Sequence, residues 1–205
     1  MDTSIERERR KYSTLWKDVP DYRKDSPGEM YVEHFLSFFE KEIKEKDTLI
    51  DFGCGTGKVA KHFLEKGLFL TLVDFCDNCL DEEVAFLTQL CIEQVRFVEA
   101  CLWTLPDTLS AADWIYCSDV LEHIPEEHLD AVLAGMAART KKGGYFSIHL
   151  SEDLFGAKFL GHPLHITIKP KEWWQAKLST HWQITSEPTS TPHIYHATVL
   201  HNSLL

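Results

Sequence analysis

The stretch Leu49-Ile50-Asp51-Phe52-Gly53-Cys54-Gly55-Thr56-Gly57 decides the fold of this 205-residue chain. An apolar run ends in an acid, and a loop with three glycines follows directly. A helical pattern occupies residues 58–66, and a second apolar run over residues 68–74 ends in Asp74. Because glycine adopts positive φ and lets a ligand approach the backbone closely, the stretch predicts a strand–loop–helix–strand unit with a ligand at its loop.

The same alternation of strands and helices continues along the chain. We predict strands at residues 48–52, 68–74, 95–99, 114–118 and 145–150. We predict helices at residues 30–43, 58–66, 81–92, 126–140 and 170–178, two of them ended by glycine at 67 and 143–144. Two β-rich runs, 181–186 and 194–201, are expected to form an antiparallel hairpin. The pattern predicts an α/β fold, a mostly parallel sheet that binds ligands at the carboxyl ends of its strands.

Composition limits the classes of protein that this chain can belong to. The chain is 44% hydrophobic, which suits one domain over residues 1–205. A formal net charge of −11 disfavours nucleic acid as a partner. No apolar run is long enough to cross a membrane, and the charged residues 1–11 lack the apolar core of a signal peptide. Six cysteines on alternating elements suggest reduced thiols, so we expect a cytoplasmic protein; the oligomeric state is not predicted.

The glycine loop has features that select among ligands. Its spacing is G-x-G-x-G, not the G-x-G-x-x-G of dinucleotide sites, and no Gly-Lys-Ser/Thr follows. Asp51 would repel a pyrophosphate but suits a cationic amino group or a sulfonium. Asp74 ends the next strand, 23 residues further on, where an acid can accept both hydroxyls of a ribose. A plain tight turn with a surface acid would not require this second, spaced carboxylate.

These motifs resemble those of the class I S-adenosylmethionine-dependent methyltransferases. Residues 51–57 are similar to their first motif and residues 73–75 to their second, with further matches at 113–125 and 141–146. The resemblance implies a Rossmann-like three-layer α/β/α sandwich with a seven-stranded sheet whose last strand is antiparallel. It also implies S-adenosylmethionine as the cofactor. We expect an enzyme that methylates an oxygen or nitrogen of a small molecule.

The resemblance also assigns cofactor-binding positions. They are Asp51, Gly53, Cys54, Gly55, Asp74, Phe75, Cys101, Leu102, Ser118 and Asp119. One position departs from the family pattern, because Cys101 stands where many relatives carry an acid for the adenine amino group. Adenine would then be recognised by backbone groups of Cys101 and Leu102 and would stack on Phe75.

The residues after strand four are the candidates for catalysis. His123 is the leading general base, because the ordinary pKa of imidazole lies near neutrality, and His165 is the second candidate. An equally open interpretation makes His123 part of the pocket wall.

Two groups of side chains have spacings that metal sites use. Asp119-x-x-Glu122-His123, with His162 or His165, loosely resembles the ligand set of some metal-dependent relatives, but the same string is common in metal-free ones. A divalent metal is therefore left open but not favoured, and no metal ligand is assigned. Four cysteines after strands one to three could form a redox or zinc site, but small thiols packed against a cofactor are the better interpretation.

The two segments outside the sheet pattern are assigned to the substrate side. Residues 1–28 are expected to form a lid or cap, with Tyr22 or Arg23 near the methionine carboxylate, or else a helix packed on the sheet. Residues 151–174 are expected to be an insertion that covers the substrate. Two other functions remain open: an RNA-end or protein methyltransferase, and a non-catalytic module that binds S-adenosylmethionine.

Overall fold

The computed structural model describes residues 4–24, 27–153, 155–187 and 191–202. Within these residues the strands are β1 (Thr48–Phe52), β2 (Phe69–Asp74), β3 (Val95–Glu99), β4 (Ala112–Ser118), β5 (Thr140–His149), β6 (Trp182–Ser186) and β7 (Ile194–His201). The α-helices are α1 (Ser4–Asp18), α2 (Pro20–Lys24), α3 (Pro27–Phe38), α4 (Ala60–Glu65), α5 (Glu82–Leu90), α6 (Glu126–Ala137), α7 (Phe155–Leu160) and α8 (Lys171–Ser179).

The seven strands form one sheet in the order β3-β2-β1-β4-β5-β7-β6. Strands β1 to β5 pair in parallel, whereas β7 is antiparallel to both β5 and β6. This arrangement confirms the predicted α/β fold with its antiparallel C-terminal strand. It also confirms the β6–β7 hairpin, which joins the sheet through β7.

A separate apolar core covers each face of the sheet, so the fold has three layers. Ile50 and Phe52 pack into the core beneath α6 and α8, where Trp174 is buried. Leu49, from the same strand, packs into the opposite core with Phe35 of α3 and the side chains of α4 and α5. The alternation of side chains along β1 distributes its residues between the two cores.

The prediction for Gly143-Gly144 was wrong. These glycines do not end a helix; they lie inside β5, which begins at Thr140, and α6 ends earlier, at Ala137. A Cβ on Gly143 would lie 2.2 Å from the Val199 carbonyl oxygen, and one on Gly144 would lie 2.4 Å from that of Ile115. The glycines are required for close strand packing, which the sequence pattern does not distinguish from a helix stop.

Other predicted boundaries shift by a few residues. The helix expected at residues 30–43 is α3, which begins at Pro27 and ends at Phe38. Parts of the two substrate-side segments (residues 1–3, 25–26 and 154) lie outside the described residues. All six cysteines are free in this structure. No helix in the described part of the chain is both long and apolar enough to cross a membrane.

The order of the strands places a ligand crevice at the centre of the sheet. From β1 the chain runs outward to β2 and β3, whereas β4 lies on the other side of β1 and leads to β5. Parallel sheets bind ligands at the carboxyl ends of the two strands where this direction changes. Here those ends are Phe52 of β1 and Ser118 of β4, so the glycine loop and the residues after β4 lie side by side.

Candidate functional site

A cavity of about 270 Å³ opens at the carboxyl ends of β1, β2 and β4. Ten of the twelve predicted site residues line it: Asp51, Gly53, Cys54, Gly55, Asp74, Phe75, Leu102, Ser118, Asp119 and His123. Cys101 is buried beside Leu102 but does not line the cavity, so its side chain is not a wall of the site. His165 also lies outside the lining, behind His123, with 4.8 Å between the two ring centroids.

The glycine loop is held open by its backbone. Gly53, Gly55 and Gly57 all have positive φ, at 73°, 51° and 73°. The amides of Gly53 and Cys54 both donate to the Val73 carbonyl, at 2.8 and 3.0 Å. The Gly55 amide donates to Oδ2 of Asp74 at 2.8 Å. These bonds connect the loop to the end of β2, so the first two motifs of the sequence form one wall of the cavity.

Two carboxyl groups at this wall have raised pKa values. Asp51 is 3% exposed, and its Oδ2 makes no hydrogen bond with any described residue. Burial, with a smaller effect from Asp74, raises the pKa of Asp51 to about 8. Burial raises the pKa of Asp74 to about 6, although backbone amides of Gly55 and Phe75 favour its ionised form. Burial therefore favours protonated Asp51 at neutral pH, and a cationic group beside it would favour its carboxylate.

The N-terminal helices cover the cavity with aromatic rings. Tyr12, Trp16 and Tyr22 all line it, as do Glu8 and Asp21. The Trp16 ring lies over the glycine loop, 3.3 Å from where a Cβ of Gly55 would stand. Tyr22 packs between Trp16 and Phe155, with ring centroids 4.5 and 5.4 Å away. No lysine or arginine of the described residues is among those that line the cavity.

Arg23 does not reach the cavity, although it was one of two residues expected near the methionine carboxylate. Its guanidinium donates to the backbone carbonyls of Trp16, Asn78, Cys79 and Leu80, at 2.6 to 3.2 Å. A guanidinium that is bound in this way has few donors left for a ligand. Arg23 instead fastens the N-terminal helices to the turn after β2, where the Asn78 side chain also donates to the Ser13 carbonyl.

We expect Arg23→Ala to loosen this N-terminal cover. The four carbonyls would lose their donor, and α1 and α2 would open more often because local contacts set local stability. Cleavage by chymotrypsin at Tyr12, Trp16 or Tyr22 should become about tenfold faster, measured by mass spectrometry of a time course. Lys17→Ala, an exposed position on α1, is the matched control and should leave the rate unchanged. Equal rates for both variants would contradict the role of Arg23.

A second group of side chains lies at the carboxyl ends of β4 and β5. Asp119 has a positive φ of 60°, and its amide donates to the Ser147 carbonyl at 2.9 Å. Its Oδ1 lies 3.3 Å from Nε2 of His149 and 3.9 Å from Nε2 of His165. Glu122 is fully buried, and burial together with the Asp119 carboxylate raises the pKa of Glu122. This group brings two carboxyls and several imidazoles to one end of the cavity.

His123 lies between this group and the N-terminal cover. Its ring is 6.2 Å from that of Tyr12, measured between centroids. Burial lowers the pKa of His123 to about 4, so the ring is neutral at physiological pH and its Nδ1 makes no hydrogen bond with any described residue. A neutral imidazole can accept a proton or bind a metal ion, and both roles need the same lone pair.

Four side chains lie close enough together to hold a metal ion: those of Asp119, Glu122, His123 and His165. One ligand atom from each lies within 4.8 Å of the others. Cys54, Asp74 and Cys79 form a second such group. The four cysteines that the sequence left open as a zinc or redox site do not form one group, because Cys76 and Cys101 are not part of this cluster.

Several residues at the cavity could not be found from the sequence. Gly28 lines it because the Tyr116 hydroxyl donates to the Gly28 carbonyl and draws the start of α3 against Ser118. Phe155 lines the cavity through contacts that depend on tertiary packing. His149 does not line it but lies behind it, with Nε2 3.3 Å from Asp119 Oδ1, and its place at the end of β5 marks it in the sequence.

Comparisons with known proteins agree with this geometry. The profile of a family described as "Methyltransferase domain" matches residues 22–201. The solved 1,6-didemethyltoxoflavin-N1-methyltransferase of Burkholderia thailandensis, with S-adenosylhomocysteine bound, is 19% identical at a TM-score of 0.71; the match covers 95% of this chain and 87% of that one. The magnesium protoporphyrin IX methyltransferase of Synechocystis PCC 6803, with S-adenosylmethionine bound, is 14% identical at a TM-score of 0.72. That match covers 95% of this chain and 97% of the other.

A third solved structure is that of the N-methyltransferase NodS from Bradyrhizobium japonicum WM9 with S-adenosylhomocysteine. It is 13% identical at a TM-score of 0.64, and the match covers 98% of this chain and 100% of that one. At these identities the solved structures establish the fold. A search of curated protein sequences finds no match.

Proposed function

Because this chain belongs to the family of S-adenosylmethionine-dependent methyltransferase domains, we propose that it transfers a methyl group to an oxygen or nitrogen of a small molecule. The observation that supports a small acceptor is the cavity itself. It lies beneath α1 and α2, its walls include four aromatic rings from α1, α2 and α7, and no lysine or arginine of the described residues lines it. A phosphate backbone would need such cations.

The cofactor is placed along the carboxyl ends of β1, β2 and β4. Asp51 receives the ammonium group, and Asp74 accepts the ribose hydroxyls while the Gly55 amide fixes its Oδ2. Phe75 and Leu102 lie at the adenine end, with Cys101 packed behind them. Gly53 and Cys54 let the cofactor pass close to the loop. Ser118 and Asp119 lie at the opposite end, where the sulfonium and its methyl group belong.

Methyl transfer is an in-line displacement at the methyl carbon. A lone pair of the acceptor forms the new bond, and the electron pair of the carbon–sulfur bond stays on sulfur, which becomes the neutral thioether of S-adenosylhomocysteine. The chain contributes alignment, which can supply much of the rate. The acceptor's proton leaves toward the group around Asp119, where His123 and His165 are the predicted bases. Tyr12, Tyr22 and Phe155 exclude water from this end.

The N-terminal cover and the insertion over residues 151–174 select the acceptor in this proposal. Tyr12 and Tyr22 come from the first segment, and Phe155 and His165 come from the second. A cytoplasmic location also belongs to this proposal, supported by six free thiols.

Methyl transfer from labelled S-adenosylmethionine into a fractionated extract of the host cells tests the proposal. Purified protein should place label in a fraction that passes ultrafiltration before any digestion, and an excess of S-adenosylhomocysteine should suppress it. Label that becomes filterable only after ribonuclease or protease treatment would show an RNA or protein acceptor and would overturn the proposal. Tight binding of S-adenosylhomocysteine with no label in any fraction would instead favour a non-catalytic binding module.

A further inference from the structure

We propose that Asp119, Glu122, His123 and His165 form a binding site for one divalent transition-metal ion. The first three side chains come from the turn after β4, and His165 comes from the segment between α7 and α8. One ligand atom from each lies within 4.8 Å of the others. Ligands about 2.1 Å from one ion lie about 3.0 to 4.2 Å apart, so the widest pair would have to close by about 0.6 to 1.8 Å, a distance that side-chain rotation can supply.

Unpartnered polar atoms point to a missing ligand at this place. Asp119 Oδ1, Glu122 Oε2 and His123 Nδ1 are buried and make no well-aligned hydrogen bond with any described residue, although Nε2 of His149 lies 3.3 Å from Asp119 Oδ1 and the carboxyls of Asp119 and Glu122 face each other. Glu122 is 0% exposed, and its other oxygen already accepts the His149 amide at 2.6 Å. Each buried polar group without a partner lowers the stability of the fold. A single cation between these side chains would give all three atoms a partner at once.

His165 is oriented as a ligand. Its Nδ1 lies 2.7 Å from the Ser151 carbonyl oxygen, which can only accept, so Nδ1 carries the proton. The lone pair is then on Nε2, which lies 3.9 Å from Asp119 Oδ1. A metal-binding histidine normally donates its other ring nitrogen to a carbonyl or carboxylate in this way. The side chain is 7% exposed, so this orientation is fixed by packing.

Charge and donor type indicate the kind of ion. No lysine or arginine of the described residues forms an ion pair with Asp119 or Glu122, and a divalent cation would balance both carboxylates. Lys11, whose ammonium group acts on His123 electrostatically, is itself paired with Glu8. Two imidazoles and two carboxylates suit Mn²⁺, Fe²⁺, Co²⁺ or Zn²⁺, whereas Mg²⁺ and Ca²⁺ prefer oxygen ligands alone.

The site adjoins the cavity, because Asp119 and His123 also line it. Four protein ligands leave room for an additional one from the cavity side, and an ion there could polarise an acceptor oxygen as a Lewis acid. His123 and His165 would then hold the ion instead of taking a proton. Only this consequence rests on the proposed function; binding of the ion does not.

Titration of the metal-stripped full-length protein with Mn²⁺, with free Mn²⁺ followed by electron paramagnetic resonance, tests the site. We expect one Mn²⁺ per chain, binding that is weakened at least about tenfold in His165→Ala, and unchanged binding in His162→Ala. His162 is the control because it is the exposed histidine of the same segment. Binding of S-adenosylhomocysteine by each variant checks that the cofactor wall, formed by the glycine loop and the end of β2, is folded.

Absence of Mn²⁺ binding up to about 1 mM would overturn the site, as would binding that His165→Ala leaves unchanged. If S-adenosylhomocysteine still binds in that case, the methyltransferase proposal is untouched. Metal binding without any binding of S-adenosylhomocysteine would support the ion site and contradict the proposed function instead.

Discussion

Asp51→Asn should weaken binding of S-adenosylhomocysteine by about 100-fold and abolish methyl transfer. The carboxylate of Asp51 is the only acid at the end of β1, and it is 3% exposed with Oδ2 unpartnered among the described residues. A ligand ammonium group would supply the missing partner. The amide of asparagine has nearly the same shape but no charge, so the variant isolates the charge. Isothermal titration calorimetry measures the loss.

The same substitution should stabilise the ligand-free protein, and this gain should grow with pH. The pKa of Asp51 is about 8 in the folded protein and about 4 in an unfolded chain. Between these values the folded state binds the additional proton, so the free energy of unfolding falls as pH rises from about 4 to about 8. Asparagine removes this penalty. We expect the gain in melting temperature over the unmodified protein to be at least about 5 °C larger at pH 8 than at pH 5.

Asp113→Asn is a control for which we expect the opposite change in stability at pH 8. Its Oδ2 accepts the amide and the hydroxyl of Thr48, at 2.9 and 2.8 Å, and these bonds together with nearby lysines hold the pKa of Asp113 below its usual range. Its ionised form therefore stabilises the fold above pH 4, and that contribution is lost on acidification. Asp113→Asn should lower the melting temperature at pH 8 and leave cofactor binding intact. A destabilised Asp51→Asn at pH 8 would contradict the burial argument.

The cofactor wall could be predicted from the sequence because its residues are local. β1 and β3 have the predicted bounds, 48–52 and 95–99. A strand end, a glycine loop and a second strand end follow one another in the chain, and parallel pairing then brings Asp51 and Asp74 to the same edge. The alternation of strands and helices is enough to predict that Asp51 and Asp74 lie at the same edge of the sheet.

The acceptor side could not be predicted in the same way, because it depends on the paths of segments outside the sheet. The amides of Ile166 and Thr167 both donate to the Glu122 carbonyl, at 2.9 Å, and this places His165 against His123. For the metal-ligand pattern, the sequence could not choose between His162 and His165. Arg23 was misplaced for a related reason, since its carbonyl partners at residues 78–80 belong to a turn 55 or more positions away.

Gly53→Ala should both destabilise the fold and prevent cofactor binding. The residue has a φ of +73°, which disfavours any side chain, and a Cβ there would lie 2.3 and 2.9 Å from the two γ-carbons of Val120. We expect a loss of about 2 to 4 kcal/mol in the free energy of unfolding, measured by urea denaturation. The methyl group would also displace the loop whose amides bind Val73, so binding of S-adenosylhomocysteine should fall below detection.

Gly161→Ala separates the backbone strain from the clash. Gly161 has nearly the same φ, +76°, but nothing lies within 4 Å of its added Cβ, so its cost should be only about 1 kcal/mol. Removing the two γ-carbons in Gly53→Ala/Val120→Ala should recover part of the lost stability, because the Val120 Cβ stands at 3.2 Å. The strain at φ would remain. Equal losses of stability in Gly53→Ala and Gly161→Ala would contradict a role for the contact with Val120. So would a Gly53→Ala/Val120→Ala variant that is no more stable than Gly53→Ala.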